Sequence, residues 1–188
     1  YGNNLAPSTK FANILPLNLS LAGVSATVNG IAAPLGFASS GQMNIQIPYE
    51  TSVGTAVLGI DNNGAAAAFA FPVSPVAPGI FNTPLTGKPG QTIVAYISGE
   101  GDVTPTLATG NVPPAGTKLA NFPQPRQPIS ITVDGEPANI AFAGIVSLVG
   151  VTQVNFTIPG DIAPGVHPVV VTVGGVASPP LNITVTAP

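Results

Sequence analysis

The sequence has no cysteine and no tryptophan, and its 188 residues include a single histidine. Without cysteine there is no disulfide framework, no thiolate metal site and no cysteine nucleophile. Charge is almost as scarce. Four Lys/Arg stand against seven Asp/Glu, a net charge of −3, and only 6 % of residues are charged, where ordinary soluble domains carry about 25 %. No basic patch exists to neutralise phosphates, which argues against nucleic acid as a partner. Long apolar runs are missing too. The stretch "HPVVVTVGGVA" is broken by Gly and Pro and is too short to cross a bilayer, so no membrane insertion is expected.

What the chain does have is apolar residues, at 45 %, together with 22 Gly and 22 Pro. Disorder requires low hydrophobicity and high net charge, and neither holds. Gly and Pro oppose helix interiors, so the expectation is an all-β protein with many turns. Its surface must be covered by Thr, Ser, Asn and Gln rather than by ions. That habit, common in exported proteins, points to an extracellular or cell-surface location. The chain begins at Tyr1 rather than Met, as expected of a processed product or a fragment from which a signal peptide could have been removed.

The sequence repeats itself. "VSATVNGIAAPLGFA" (24–38) lies over "ISITVDGEPANIAFA" (129–143) at an offset of 105. After an insertion around "GIVSLVG" the offset becomes 111 and superposes Gln42 on Gln153, Asn44 on Asn155, Pro48 on Pro159 and Gly54 on Gly165. A single insertion separates two ungapped matches, so the chain is a tandem duplication. Each unit reads as short strands of period two. "TV-NG-IA" and "TV-DG-EP" mark Asx-Gly hairpins, whose turns need positive φ at both central residues. The expected fold is two tandem immunoglobulin-like β-sandwiches, residues 1–78 and 79–188, the second with a Pro-rich loop at 104–128. The Pro-rich stretch 74–90 reads as the linker. Expected core positions are Val28, Phe37, Ile45 and Ile47, with Val133, Phe142, Phe156 and Ile158 as their equivalents.

The repeated Gln-x-Asn-x-x-Ile-Pro phrase admits two readings. The Asn amide can satisfy backbone groups left unpaired beside the proline, or Gln42/Asn44 and Gln153/Asn155 can bind a ligand. Pro48 and Pro159 should close their strands, because a proline inside a central strand loses a ladder bond.

Several stretches together carry a resemblance: "YGNNLAPST", "LAGVSATVNGIAAPLGFASSGQMNIQIPYE", "VAPGIF", "VAYISGEGDVTP" and "VTQVNFTIPGDIAPGVHPVVVTVGG". In this order they resemble the uncharacterised Solibacter-type C-terminal domain of large exported acidobacterial proteins. The resemblance implies exported, surface-associated β-modules and brings no catalytic residues.

Catalytic signatures are missing. His167 precedes Pro168 without a nucleophile-elbow motif, so Ser-His-Asp chemistry has no support. One His and no Cys cannot readily make a zinc site. Of the seven carboxylates (Glu50, Asp61, Glu100, Asp102, Asp134, Glu136 and Asp161) none is paired by sequence in the manner a glycosidase requires. "GEGD" and "DNNG" could offer calcium oxygens, but neither completes a loop signature. No enzymatic activity, cofactor or metal is expected. Glycosylation triplets occur at Asn18, Asn155 and Asn182.

Alignment of "AYISGEGDVTP" with "YGNNLAPST" sets Tyr1 over Tyr96, leaving nothing in the first unit to match "GQTIVA". The first sandwich is therefore expected to lack most of its opening strand, leaving an exposed apolar edge. This favours a non-enzymatic structural protein of the cell surface that self-associates by strand addition into a head-to-tail filament. Tyr1, Gly2, Asn3, Asn4 and Leu5 would lie at the junction. The donor would be "YGNNLAPSTKFANILPLNLS" or, less favourably, "LNITVTAP". The alternative is a passive spacer module of a larger exported protein, binding glycan or a surface protein.

Overall fold

A computed structural model describes residues 1–187. Pro188, the last residue of the expected second domain and of the carboxy-terminal donor segment, lies outside the described residues. Among the described residues there is no α-helix, only one short 3-10 turn at Leu119–Asn121. The protein is all-β. Two compact units emerge, one of residues 1–75 with Leu107–Val112, the other of Val76–Thr106 with the chain from Pro113 onward.

The first unit contains β1 (Lys10–Phe11), β2 (Ser20–Leu21), β3 (Val24–Val28), β4 (Ile31–Ala33), β5 (Leu35–Ala38), β6 (Met43–Ile45), β7 (Gly54–Asn62) and β8 (Ala65–Val73). They form two sheets, β1-β5-β6 and β2-β3-β7-β8, with β4 also on β3. The second unit opens with β9 (Gly79–Ile80), β10 (Leu85–Gly87), β11 (Thr92–Ser98), β12 (Val103–Thr104) and β13 (Gln124–Pro125). It continues with β14 (Ile129–Val133), β15 (Glu136–Pro137), β16 (Asn139–Ile145), β17 (Thr152–Thr157), β18 (Gly165–Val173), β19 (Val176–Ala177) and β20 (Leu181–Val185).

The strand order of the second unit is diagnostic. One sheet runs β9-β11-β17-β16 and the other β10-β20-β18-β14-β15. Lettered in chain order, these are A-B-E-D and a sheet holding C, F and G, which is the immunoglobulin arrangement. The Asx-Gly turns form where the pattern puts them. Asn29 and Gly30 have φ of 51° and 79°, and Asp134 and Gly135 have 54° and 85°. Duplicated strands coincide as well: β3 matches β14 and β7 matches β18 along their full lengths.

The first unit has the equivalents of C to G but not of A or B. More is missing than the single opening strand expected. The consequence is visible in the cores. In the second unit one cluster joins both sheets and includes Leu85, Ile93, Ala95 and Ile97 from β10 and β11. The first unit has two small clusters, one around Leu21, Val24 and Leu35, the other around Ala26, Val28 and Ala56.

Several expectations need correction. Val28, Val133, Phe156 and Ile158 are fully buried. Ile45 is only half-buried and Ile47 is 39 % exposed, because nothing occupies the A and B positions above them. Phe37 and Phe142 are also half-buried. Each follows a β-bulge, between Leu35 and Phe37 in β5 and between Ile140 and Phe142 in β16. One extra residue turns the ring from the inner to the outer face. There Phe37 packs on Phe11 with ring centroids 4.7 Å apart, and Phe142 on Phe122 at 6.1 Å.

The boundary also shifts from 78/79 to 75/76. Val76 is buried in the second unit's core, and the Ala77 N–H bonds the Gly99 carbonyl. Within the expected loop 104–128, Leu107–Val112 belongs to the first unit. The Gly110 N–H donates to the Oε1 of buried Gln46 at 2.6 Å, and the Gly110 carbonyl accepts from the Leu17 N–H at 2.8 Å.

Candidate functional site

The free edge of β6 is the feature that sets the first unit apart. In the second unit the equivalent strand β17 is sandwiched between β16 and β11. In the first, β6 pairs with β5 alone and ends its sheet. Met43, Ile45, Leu58, Ile60, Phe71 and Val73 are half-buried. Their equivalents Val154, Phe156, Val169, Val171, Ile183 and Val185 are all at most 2 % exposed. Four positions aligned at the offset of 111, and two on β8 that match β20 by pairing register, therefore lose cover together. β8, the other strand bordering the gap, is exposed over most of its length, with Phe69 69 % exposed. Pro72, lacking an N–H, blunts that edge. The β6 edge from Met43 to Ile45 has no such protection.

The amino-terminal residues stand at the head of this gap. The Gly2 N–H donates to the Gly41 carbonyl at 3.1 Å and the Leu5 N–H to the Ser40 carbonyl at 3.0 Å. Asn62 Nδ2 donates to the Asn4 carbonyl at 2.9 Å, and Asn4 itself has φ of 55°. Tyr1 and Asn3 are exposed, while Leu5 is half-buried and leads into buried Ala6.

The repeated amides have a local role that the sequence reading missed. Gln42 Nε2 donates to Asn44 Oδ1 at 2.6 Å, and Gln153 Nε2 to Asn155 Oδ1 at 2.8 Å. Residues two apart on a strand share a face, so each Gln amide reaches the Oδ1 of its Asn. β6 ends at Ile45 and β17 at Thr157, short of Pro48 and Pro159. Each proline carbonyl then accepts from the N–H three residues on, of Thr51 at 3.0 Å and of Ile162 at 3.4 Å. In the second unit the outer face adds a Thr92–Thr157 hydroxyl pair at 2.9 Å.

The candidate chemical groups are dispersed. His167 Nδ1 lies 3.0 Å from Asp134 Oδ2 and its Nε2 2.8 Å from the Ala163 carbonyl, so both ring nitrogens have structural partners. Asp61 Oδ1 accepts from the Gly64 N–H, closing a turn. Glu50 accepts from Thr109 Oγ1 at 2.8 Å. Asp102 lies 3.6 Å from Arg126, both well exposed. Asp161 and Glu136 are exposed. Among the described residues no three of His, Asp and Glu gather into a metal-ligating group. Asn182 is exposed, Asn18 and Asn155 half-buried.

Glu100 is different. It is only 3 % exposed, and burial pushes its carboxyl up to about 7. Its own backbone N–H and, more weakly, Thr152 pull the other way. The Thr152 hydroxyl is buried without a hydrogen bond of ordinary geometry, so its pull is the slight one.

No family and no curated protein matches the chain. Among solved structures it is similar to domains 4–9 of the surface layer protein SbsC, at 14 % identity and a TM-score of 0.33, over 92 % of this chain and 23 % of that one. It is also similar to invasin, a bacterial integrin-binding protein, at 16 % identity and a TM-score of 0.32, over 100 % of this chain and 37 % of that one. A tandem from titin gives 10 % identity and a TM-score of 0.29, over 92 % of this chain and 57 % of that one. The chain thus spans less than two thirds of each. The immunoglobulin-like assignment rests on the strand order itself.

Proposed function

We propose that the chain is a non-enzymatic structural module of the cell exterior, whose first sandwich is completed by a β-strand added along β6. One observation carries this reading. β6 ends its sheet while its repeat equivalent β17 is paired on both sides, and the apolar residues beneath that edge are half-buried instead of buried. Main-chain bonding to the added strand supplies affinity, and alternate side chains filling the gap supply specificity. The ion-poor composition supports the exterior location.

A strand donated by a second copy joins unlike surfaces, so the contact is head-to-tail and propagates into an open filament. Both donor segments first considered are engaged in their own unit. Leu181–Val185 is paired with β18 and β10, with Ile183 fully buried. The amino-terminal segment is held by main-chain bonds of Gly2, Leu5, Ala12, Leu17 and Asn18, by the two rungs of β1 on β5, and by Phe11 on Phe37.

The second reading is a spacer that binds glycan or a surface protein. The neutral outer face around Gln153, Asn155, Thr92 and Thr157 favours it, since paired amides and hydroxyls suit uncharged polar ligands. Electron microscopy of the purified chain separates the two. Ordered filaments support strand exchange between copies, and monodisperse particles leave the spacer.

A further inference from the structure

The two β-bulges turn the same group of side chains outward in both units. Phe37 and Phe142 leave the inner face of their strands and stand directly opposite Asn44 and Asn155. Side chains opposite each other in an antiparallel pair lie about 5 Å apart at Cβ, so each ring borders its Asn. Each Asn is bonded in turn by its Gln, at 2.6 Å in the first unit and 2.8 Å in the second. A second ring covers each Phe from outside the repeated blocks, Phe11 from β1 and Phe122 from the end of the 3-10 turn. Among the described residues, none of these four rings packs against a core cluster, and Phe11 is 72 % exposed.

The second unit carries the fuller version. Its strand β17 sets Gln153 between Gly144 and Tyr96, and Asn155 between Phe142 and Val94. Gly144 lets the Phe142 ring lie down along the sheet, because a Cβ there would come within 2.9 Å of Phe142 Cζ and of the Pro123 carbonyl oxygen. Tyr96, Phe122 and Phe142 are half-buried, so each ring keeps surface to offer. The Gln–Asn bond uses one Nε2 hydrogen and Oδ1. Among the described residues, Asn155 Nδ2 and Gln153 Oε1 have no protein partner, which leaves two donors and an acceptor beside the rings.

That combination selects a class of ligand. β11, β16 and β17 contain no charged residue, and the chain's net charge of −3 disfavours a polyanion. β17 lies inside its sheet, so no free edge is present at the site for a peptide to extend. Apolar ring faces flanked by amide donors and acceptors complement a sugar whose equatorial hydroxyls leave its C–H faces bare. We propose that the outer face of β16, β17 and β11 binds a neutral polysaccharide of such sugars. The sugars stack on Phe122 and Phe142 and are hydrogen-bonded by Gln153 and Asn155, and Phe11, Phe37, Gln42 and Asn44 form the matching site of the first unit. The assignment rests on the glycan-binding spacer reading above and is independent of strand addition along β6.

Affinity electrophoresis of the full chain tests it, with hydroxyethyl cellulose cast in one native gel, and carboxymethyl cellulose or gelatin in others. Mobility is taken relative to a gel without polymer. Hydroxyethyl cellulose should retard the chain, and its anionic counterpart should retard it less. Asn155→Asp together with Asn44→Asp keeps the acceptor for each Gln but removes the donors. This double variant should weaken retardation about three- to tenfold with its melting midpoint unchanged. Phe122→Ala with Phe11→Ala should weaken it by a similar factor. Unchanged retardation in both double variants overturns the site, while the glycan-binding reading survives. Equal retardation by carboxymethyl cellulose overturns the neutral preference. Retardation by gelatin in place of hydroxyethyl cellulose overturns the ligand class in favour of a protein partner. Retardation by none of the three polymers overturns both the site and the binding-spacer reading.

Discussion

Ile47 and Ile158 occupy the same place in the two copies of one repeat, yet Ile158 is fully buried and Ile47 is 39 % exposed. The difference lies outside both residues. The Gly90 N–H bonds the Ile158 carbonyl, the Ile158 N–H bonds the Gln91 carbonyl, and Gly87 and Ile93 close over the side chain. Ile47 has no counterpart to that segment.

Truncation should expose this asymmetry. Ile158→Ala is expected to cost about 2–5 kcal/mol, as large buried aliphatics do. Ile47→Ala should cost under about 1 kcal/mol, since much of its surface already meets water. Denaturant unfolding of the full chain, followed by amide exchange in each unit, checks both. Equal losses would refute the missing-cover explanation.

Glu100 predicts a stability profile with pH. Its folded carboxyl keeps its proton up to about 7, whereas the unfolded one releases it near 4.5. Between these values the unfolded state binds fewer protons, so stability is full below the lower value and falls as pH rises to the upper one. The loss is of order 3 kcal/mol across the window. Glu100→Gln should flatten this slope and be the more stable protein at pH 8, as measured by urea midpoints from pH 4 to 8.

Gln46 anchors a contact that spans 64 positions of sequence, through the Gly110 N–H. Gln46→Ala should leave that donor buried and unpaired, costing about 1–3 kcal/mol. Loss of exchange protection at Gly110 is the matching local signal.

Gly99 and Gly135 separate two kinds of glycine. Both have positive φ, at 75° and 85°. A Cβ on Gly135 would meet open space, but on Gly99 it would lie 1.9 Å from the Ala77 carbonyl oxygen. Gly135→Ala should cost about 1–2 kcal/mol from backbone strain alone. Gly99→Ala should prevent native folding of the second unit, seen as lost dispersion in its amide spectrum.

Much of the fold was legible because its signals are local. Asn29-Gly30 and Asp134-Gly135 set the hairpins, and the constant offset put β3 over β14 and β7 over β18. Phe37 and Phe142 were misplaced because counting by two does not see a bulge. The Gly110–Gln46 bond and the burial of Glu100 depend on contacts distant in sequence, and no local pattern announces them. The Gln–Asn bonds were within reach, since side chains two apart on one strand face must meet.

Pairing at the two ends of the second unit has a mechanical meaning. Its second strand β10 and its closing strand β20 lie side by side and parallel, Leu85 to Ile183, Thr86 to Thr184 and Gly87 to Val185. Once β9 is pulled from β11, tension drags these strands past each other along their length, so the rungs resist together in shear. In the first unit β8 has no parallel neighbour, and Gly54 and Val73 close the β7–β8 pair at an end free to peel. Under load the first unit should yield first, one rung at a time, while the second holds.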